Sequence, residues 1–227
     1  MTGYYSEKLA AERLEQCYRI APPRVKQYLK AELTHVLTRI RPGDEVLDQG
    51  CGYGRIMPQL AVAAGMVVGI DTSLDSLRSA RQRLERVKNC HLACMDAVRT
   101  AFADGVFDVV LCIQNGISAF HVDQRELVRE SVRIARPGGL VLFSTYAARF
   151  WPDRLAWFRL QAEAGLLGEI DEELTGDGVI VCKDGFKATT VDAGRFKELT
   201  SGLDVAAKIV EVDDSSLFCE IHKPVAD

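Results

Sequence analysis

The chain has 227 residues, of which 48% are hydrophobic and 26% are charged, and its formal net charge is −4. These values are typical of a folded domain that buries its own core, and they exclude a largely disordered chain. No apolar run reaches the roughly 18 residues of a membrane helix, and the N-terminus shows no signal-peptide pattern. The small acidic surplus argues against nucleic-acid binding. We therefore expect a cytoplasmic protein with neither a membrane nor a nucleic-acid partner.

The first 40 residues contain two helical patterns. Apolar residues recur at helical spacing over residues 6–20 and again over 25–40. Pro22 and Pro23 separate the two patterns, because a proline can begin a helix but cannot continue one. The second pattern ends before the turn signal RPGD at residues 41–44.

Short apolar segments then alternate with helical patterns. The strand-like segments cover residues 45–48, 65–71, 90–95, 105–113 and 140–144, and the helical patterns between them end near Ala64, Lys88 and Ala135. Alternation of strands and helices at this spacing predicts a parallel sheet with helices on both faces.

The segment after residue 144 departs from this alternation. We predict a helix over 151–167, a hairpin over 178–189, and a helix over 192–200 with Thr190 as its N-cap candidate. Two final strands over 205–212 and 217–222 are joined by too few residues for a parallel crossover, so the last strand should run antiparallel. The predicted fold is therefore α/β: a doubly wound, seven-stranded, mainly parallel sheet with an antiparallel last strand, N-terminal helices and a small inserted hairpin.

The seven cysteines are scattered along the chain without a CxxC pair. An odd number of thiols without an export signal predicts reduced cysteines in a cytosol. Cys90, His91 and Cys94 lie close together in sequence, but they lack the paired spacing of zinc sites. We therefore predict no bound metal.

The loop that follows the first strand is the segment that most clearly predicts a ligand-binding site. It runs from Asp48 to Arg55 and reads DQGCGYGR. Glycine lets the backbone turn tightly and lets a ligand approach closely, and ligands of parallel sheets bind at the carboxyl ends of the strands. Asp71 ends the second strand 21 residues after Gly50, where a carboxylate can accept hydrogen bonds from ribose hydroxyls. Together these features predict an adenosine-containing ligand.

Two adenosine ligands compete for this loop. A dinucleotide loop would read GxGxxG, whereas here Arg55 stands at the position of the third glycine. Asp48 would repel a phosphate but would pair with an ammonium. An ammonium beside an adenosine favours S-adenosylmethionine over NAD.

Five motifs in order resemble those of the class I, Rossmann-like S-adenosylmethionine-dependent methyltransferases, and the resemblance covers the chain from about Arg41 to its end. The motifs are the loop over 46–54, Asp71 after strand two, Asp96 after strand three, the strand-four motif over 107–112 and the RPGG turn over 136–139. Gln49 departs from the aliphatic residue of many members, which suggests an altered polar contact near the loop.

This resemblance implies S-adenosyl-L-methionine as the cofactor. Asp48 and the loop backbone would hold its methionine part, Asp71 its ribose and Asp96 its adenine amine. Met95 would pack on the adenine, and the exit of strand four would lie beside the sulfonium. The full predicted cofactor set is Asp48, Gly50, Cys51, Gly52, Gly54, Arg55, Asp71, Thr72, Met95, Asp96, Ala97, Gln114 and Asn115.

The acceptor side of the predicted site rests on fewer residues. The exit of strand four resembles that of glycine/sarcosine-type small-amine methyltransferases, which makes His121 a candidate base. Tyr5, the second catalytic candidate, lies on a segment that folds over the cofactor as a lid in many relatives. Tyr146 and Trp151 are candidates for the wall of the acceptor pocket. The inserted hairpin is a candidate for that wall or for a dimer contact.

The resemblance therefore implies an enzyme that transfers a methyl group from S-adenosylmethionine to a small-molecule acceptor by in-line displacement. Two alternatives stay open: an adenosine-binding module without turnover, and a thiol- or metalloid-directed methyltransferase that uses its cysteines. We expect one domain, as a monomer or a homodimer. Its parts are a helical lid over 1–40, a cofactor-binding core over 41–145, an acceptor-side helix, hairpin and helix over 146–203, and a terminal strand pair over 204–227.

Overall fold

The computed structural model of the chain describes residue 4 and residues 8–225. Its strands are β1 (Glu45–Gln49), β2 (Met66–Asp71), β3 (Cys90–Cys94), β4 (Phe107–Cys112), β5 (Ala135–Tyr146), β6 (Ile180–Val181), β7 (Lys187–Ala188), β8 (Ala206–Val212) and β9 (Ser216–His222). Seven of them form one sheet in the order β3-β2-β1-β4-β5-β9-β8, and β6 pairs with β7 as a separate hairpin. Within the sheet, β9 runs against both of its neighbours, and the other six strands share one direction. The predicted sheet is confirmed.

The helices are α1 (Ala11–Arg19), α2 (Pro23–Leu37), α3 (Met57–Ala63), α4 (Leu74–Arg83), α5 (Gly116–Ala119), α6 (Gln124–Ile134), α7 (Trp151–Glu163) and α8 (Ala193–Thr200), with a 3₁₀ turn over Ala148–Phe150. The side chains of Ser73, Asp123 and Asp192 each accept a backbone N–H of a first helical turn, which satisfies donors that the helix leaves unpaired. The N-cap of α8 is therefore Asp192, directly before the helix, and the candidate Thr190 was wrong. In the described part of the chain, every helix is too short or too polar to span a bilayer.

The two central strands, β1 and β4, are buried because helices cover both faces of the sheet. Leu47 and Val110 face one side, where α6 and α8 pack. Val46 and Val109 face the other side, where α2, α3 and α4 pack. Continuous apolar strands are typical of a sheet that is covered in this way.

β5 is longer than predicted and contains the RPGG segment that the sequence placed in a turn before it. The pairing register of β4 and β5 shifts across residues 136–139, which therefore bulge out of the ladder. Gly138 adopts a φ of +77°, and its N–H donates to the carbonyl of Lys223 at 3.1 Å. The predicted turn was wrong because the end of the chain supplies the hydrogen bonds that keep the bulge within the strand.

A third buried cluster lies outside both faces of the sheet. It joins α1, α2 and α7 to the β6–β7 hairpin. The Trp157 indole N–H donates to the Cys17 carbonyl at 3.0 Å and ties α7 to α1. We call this layer, residues 9–29 and 146–188, the cap.

Candidate active site

A cavity of about 250 Å³ lies between the cap and the carboxyl ends of the central strands. We call its two sides the sheet half and the cap half. The predicted cofactor residues that line the sheet half are Asp48, Gly50, Cys51, Gly52, Arg55, Asp71, Thr72, Met95, Asp96, Ala97 and Gln114. The cap half is lined by Leu9, Leu14, Cys17, Tyr18, Tyr146, Trp157, Phe158 and Gln161. One cavity therefore brings a set of carboxylates and glycines opposite a set of aromatic rings.

The glycine loop after β1 has a backbone that other residues adopt only with strain. Gly50 has a φ of +76°, in the left-handed region that favours glycine. A Cβ on Gly50 would also lie 2.4 Å from a ring carbon of Phe120. The N–H groups of Gly50 and Cys51 both donate to the Ile70 carbonyl, at 2.8 and 3.0 Å. These contacts hold the loop against the end of β2 and keep its backbone at the cavity wall.

Asp71 ends β2 and fixes the same loop through its carboxylate. Its Oδ2 accepts the Gly52 N–H at 2.9 Å, and its Oδ1 accepts the Ser73 N–H at 2.8 Å. Burial raises the pKa of Asp71, and the backbone hydrogen bonds oppose that rise. Each carboxylate oxygen has a second lone pair, so both can also accept a ligand hydroxyl.

Asp48 lies at the end of β1 and is almost fully buried. Burial raises its pKa to about 7, the Arg55 guanidinium opposes that rise, and the carboxylate of Asp71 adds to it. A cationic group from a ligand would favour the charged form of Asp48. Across from Asp48, Nη2 of Arg55 is buried without a well-aligned hydrogen-bond partner among the described residues, and the guanidinium lies 4.7 Å from the Tyr18 ring centroid. This pair of charges fits the ammonium and the carboxylate of an amino acid.

Asp96 and Met95 follow β3 at the far end of the sheet half. Oδ1 of Asp96 accepts the Val98 N–H at 3.0 Å, and the Met95 sulfur accepts the Ala101 N–H at 3.3 Å. An acidic side chain next to a thioether at the cavity edge suits a flat base that carries an amino group.

The exit of β4 contains two residues with left-handed backbone: Gln114 at a φ of +55° and Asn115 at +63°. Gln114 lines the cavity, and its Oε1 accepts the Tyr18 hydroxyl at 2.8 Å. Asn115 does not line the cavity. Its side-chain amide donates to the Thr189 carbonyl at 2.9 Å, and its amide oxygen accepts the Thr145 hydroxyl at 2.8 Å. Such backbone strain persists where surrounding contacts enforce it. Of this predicted pair, the structure brings only Gln114 to the cavity.

The remaining predicted residues lie away from the cavity or beyond the described chain. His121 is exposed on the turn after α5 and is not among the lining residues. Tyr5 lies outside the described residues. Gly54 faces α4, where a Cβ would lie 3.2 Å from Ala80. Trp151 begins α7 behind the wall, whereas Tyr146 is part of it.

Helix α1 lines the cavity on the cap side with Leu14, Cys17 and Tyr18. Its Ala11 N–H donates to the Ser76 hydroxyl at 3.2 Å, and Arg83 donates to Glu15 Oε1 at 2.7 Å. Both contacts join α1 to α4 of the sheet half, whereas Trp157 joins it to α7. The helix therefore contacts elements on both sides of the cavity.

Sequence reasoning missed several side chains of the cap half. Tyr18, Trp157 and Phe158 look like ordinary core residues in a helical pattern, so nothing in their spacing marks them as a wall. Glu32 is different: it is fully buried on α2, within the run of apolar positions that includes Leu29. A carboxyl group among the apolar positions of a helix is unusual, and this pattern could have marked Glu32 as a candidate functional residue.

The comparisons with known proteins agree with this geometry. A family model described as a methyltransferase domain matches residues 46–139. Demethylmenaquinone methyltransferase from Mycobacterium marinum is 30% identical over 197 residues, which cover 70% of this chain and 82% of that protein. Ubiquinone biosynthesis O-methyltransferase from Bordetella pertussis is 41% identical over 106 residues, 45% of this chain and 43% of that protein. The PH0226 protein from Pyrococcus horikoshii OT3 has a similar fold, with a TM-score of 0.66, 21% identity and coverage of 92% of this chain and 98% of that one.

The fold, the glycine loop and the matched segment define a Rossmann-like methyltransferase domain. The chain belongs to the class I S-adenosylmethionine-dependent methyltransferases, as the sequence motifs predicted. It spans less than half of the length of the first curated relatives that it matches.

Proposed function

We propose that this protein transfers a methyl group from S-adenosylmethionine to a small, ring-bearing acceptor by in-line displacement. The observation that carries the proposal is the division of one cavity into a charged sheet half and an aromatic cap half. A donor held in the first half points its methyl group at whatever the second half holds. Alignment of the two reactants and exclusion of water are then the main tasks of the protein.

The sheet half has a group for each part of the donor. Asp48 would accept the ammonium of the methionine part, and the buried guanidinium of Arg55 would pair with its carboxylate. Asp71 would accept the two ribose hydroxyls, and Asp96 the adenine amine, with Met95 against the ring. S-adenosylmethionine itself supplies the reactive step, because its sulfonium makes the methyl carbon electrophilic.

The cap half suits a flat and mostly apolar acceptor. Its walls are the rings of Tyr18, Tyr146, Trp157 and Phe158 with the amide of Gln161, and the amide of Gln114 lies at its border with the sheet half. Aromatic rings pack on one another in offset or edge-on arrangements, and the amides can orient a polar substituent. The two curated relatives support this class, since their names contain ubiquinone and demethylmenaquinone, which are both ring compounds.

The predicted division of the chain serves this function. We propose that residues 1–40 and 146–203 form the acceptor side and close over the donor, while residues 41–145 hold the donor and 204–227 complete the sheet. The free state of all seven cysteines supports a reducing compartment such as the cytoplasm. A monomer or a homodimer would serve equally well, because the described chain contributes both halves of the cavity.

A thiol- or metalloid-directed reaction has less support. Cys17 and Cys51 are the cysteines that line the cavity, and Cys112 is buried in β4. Burial raises the pKa of Cys17 to about 12 and also raises that of Cys51, whereas a metalloid ligand must be a thiolate. A binding module without turnover would need the same sheet half but no acceptor wall, and this chain has both.

Two experiments test the function. Calorimetric titration with S-adenosylmethionine and with S-adenosylhomocysteine should show binding of each, and an absence of heat with both would refute the donor assignment. Incubation with methyl-labelled S-adenosylmethionine and a metabolite extract should then yield a labelled small molecule. Binding without any labelled product would favour the module without turnover.

A further inference from the structure

Glu32 is a carboxylic acid within the apolar face of α2. It is fully buried, and its Oε1 accepts the Ser144 hydroxyl at 2.6 Å. Its Oε2 has no well-aligned hydrogen-bond partner among the described residues. Burial of a carboxyl group with only one well-aligned hydrogen bond is costly, so packing alone does not account for it.

Tyr28 connects Glu32 to the cavity. It lies one turn earlier on the same face of α2, and its hydroxyl is also buried without a well-aligned partner. Burial raises the pKa of both Glu32 and Tyr146, and contact with the Tyr28 hydroxyl opposes that rise in each. The ring centroids of Tyr28 and Tyr146 are 5.4 Å apart, and Tyr146 lines the cavity. A series of three ionisable side chains therefore runs from the cavity to Glu32.

The surroundings of Glu32 make its proton exchangeable near neutral pH. Burial raises its pKa to about 7, and the Ser144 hydroxyl and the Arg55 guanidinium oppose that rise. The ionisable groups that face it are Arg55 from the loop after β1, Tyr18 from α1, Tyr28 from its own helix and Tyr146 from β5. Of these groups only Arg55 is charged at neutral pH, and it favours the carboxylate form.

We propose that Glu32, reached through Tyr146 and Tyr28, takes up the proton that a hydroxyl acceptor loses during methyl transfer. This inference rests on the methyl-transfer function proposed above. The acceptor oxygen bonds to the methyl carbon while the carbon–sulfur bond breaks and its electron pair returns to sulfur. The hydroxyl proton passes to the oxygen of Tyr146, the proton of Tyr146 passes to Tyr28, and that of Tyr28 passes to the Glu32 carboxylate. Glu32 acts through the two tyrosines and does not touch the acceptor.

The relay narrows the class of acceptor. A base is needed only when the acceptor still carries its proton at the working pH, as a phenol or hydroquinone does and a thiolate or a free amine does not. The aromatic cap half favours the phenolic ring over an aliphatic alcohol. Because the carboxylate is the form that accepts a proton, turnover with such an acceptor should rise as the pH increases through about 7.

The probe for this relay is 4-nitrocatechol, because its visible absorbance reports whether its hydroxyl is ionised. S-adenosylhomocysteine occupies the donor position without turnover, and the absorbance of the bound probe is titrated against pH. In the unaltered protein we expect the bound probe to ionise about one pH unit below the free probe, a tenfold change in its acidity. In Glu32→Gln and in Tyr146→Phe the bound probe should ionise at or above the pH of the free probe.

Two controls separate a proton relay from a structural role. Glu32→Gln keeps the volume and the oxygen that accepts the Ser144 hydroxyl, but it cannot take up a proton. Ser144→Ala removes the hydroxyl that donates to Glu32 and accepts the Gln114 N–H but keeps the carboxyl group, so the bound probe should still ionise early. The relay is refuted if Glu32→Gln leaves the ionisation of the bound probe unchanged, or if Ser144→Ala abolishes the shift as fully as Glu32→Gln does.

The same sample distinguishes this inference from the proposed function. If S-adenosylhomocysteine binds by calorimetry but the unaltered protein fails to bind 4-nitrocatechol, or binds it without a shift, the relay is wrong and the donor site stands. If S-adenosylhomocysteine does not bind, the proposed function fails first.

Discussion

The two halves of the cavity differ in the chemical groups that line them. In the sheet half, the glycine-loop backbone forms part of the surface beside carboxylates: Gly50 takes a left-handed conformation against Phe120, and Asp71 accepts the N–H groups of Gly52 and Ser73. In the cap half, side chains such as Trp157 form the surface. A backbone surface tolerates few substitutions, whereas a side-chain surface can change shape with each one. The sheet half therefore suits a constant ligand, and the cap half suits a variable one.

Gly50→Ala should give the largest loss of stability, because a Cβ at this position strains the backbone of the glycine loop. Its φ of +76° costs about 1–2 kcal/mol with a Cβ present, and the clash with Phe120 adds about 1–3 kcal/mol. Urea denaturation measures the free energy of unfolding. Gly43→Ala is the matched control, since Gly43 has a φ of +97° and nothing within 4 Å of its Cβ position. Equal losses in the two variants would show that the contact with Phe120 is unimportant.

Asp71→Ala should weaken the binding of S-adenosylhomocysteine by about 1–3 kcal/mol, because hydrogen bonds to a charged group are lost. Calorimetric titration measures the affinity. Asp71→Asn is the informative partner, since its oxygen can still accept one of the two backbone N–H groups. An unchanged affinity in Asp71→Ala would remove the ribose assignment.

Trp157→Phe tests the other half. It removes the hydrogen bond to the Cys17 carbonyl and should lower the free energy of unfolding by about 0.5–1.5 kcal/mol. Because Trp157 lies in the cap half, the affinity for S-adenosylhomocysteine should stay the same. A loss of affinity as large as that of Asp71→Ala would show that the two halves do not act separately.

The smallest expected effect is the number of protons released when the ligand binds. Asp48 has a raised pKa of about 7, so near that pH it is partly protonated. An ammonium beside it favours the carboxylate and lowers the pKa, so binding of S-adenosylhomocysteine at pH 7 should release up to about half a proton. Calorimetry in two buffers of different ionisation enthalpy measures this release. Asp48→Asn should abolish it, and a persistent release would assign the proton to another group.

Much of the sheet half could be predicted from sequence, because local rules fix it. A glycine-rich loop after a buried strand and an acid at the end of the next strand lie together in any parallel sheet of this order. Gln114 and Asn115 were predicted as a pair, yet their left-handed backbone points one to the cavity and the other to Thr189. Neighbours in sequence often diverge in this way when the backbone is irregular.

The cap half could not be predicted in the same way. Tyr18, Trp157 and Phe158 come together only through long-range packing of α1 on α7, which hydrophobic spacing does not specify. Glu32 is the converse case. An acid within an apolar helical pattern was visible in the sequence, but its role depends on contacts with Tyr28 and Tyr146 that the sequence does not specify. Likewise, His121 matched a family pattern at the exit of β4, but the structure leaves its side chain exposed.

The attachment of α1 to α4 bears on where the cavity opens. The helix lines the cavity, and one of its contacts with α4 is the ion pair of Glu15 and Arg83, whose side chains are each more than one-third exposed. Such pairs contribute only about 0–1 kcal/mol, so solvent competes well for them. This ion pair is therefore weaker than the other contacts of α1, which include the hydrogen bonds of Tyr18 with Gln114 and of Trp157 with Cys17. Under the function proposed above, we expect a cavity that opens for product release to lose this ion pair first, while the packing of α1 on α7 keeps the acceptor side in place.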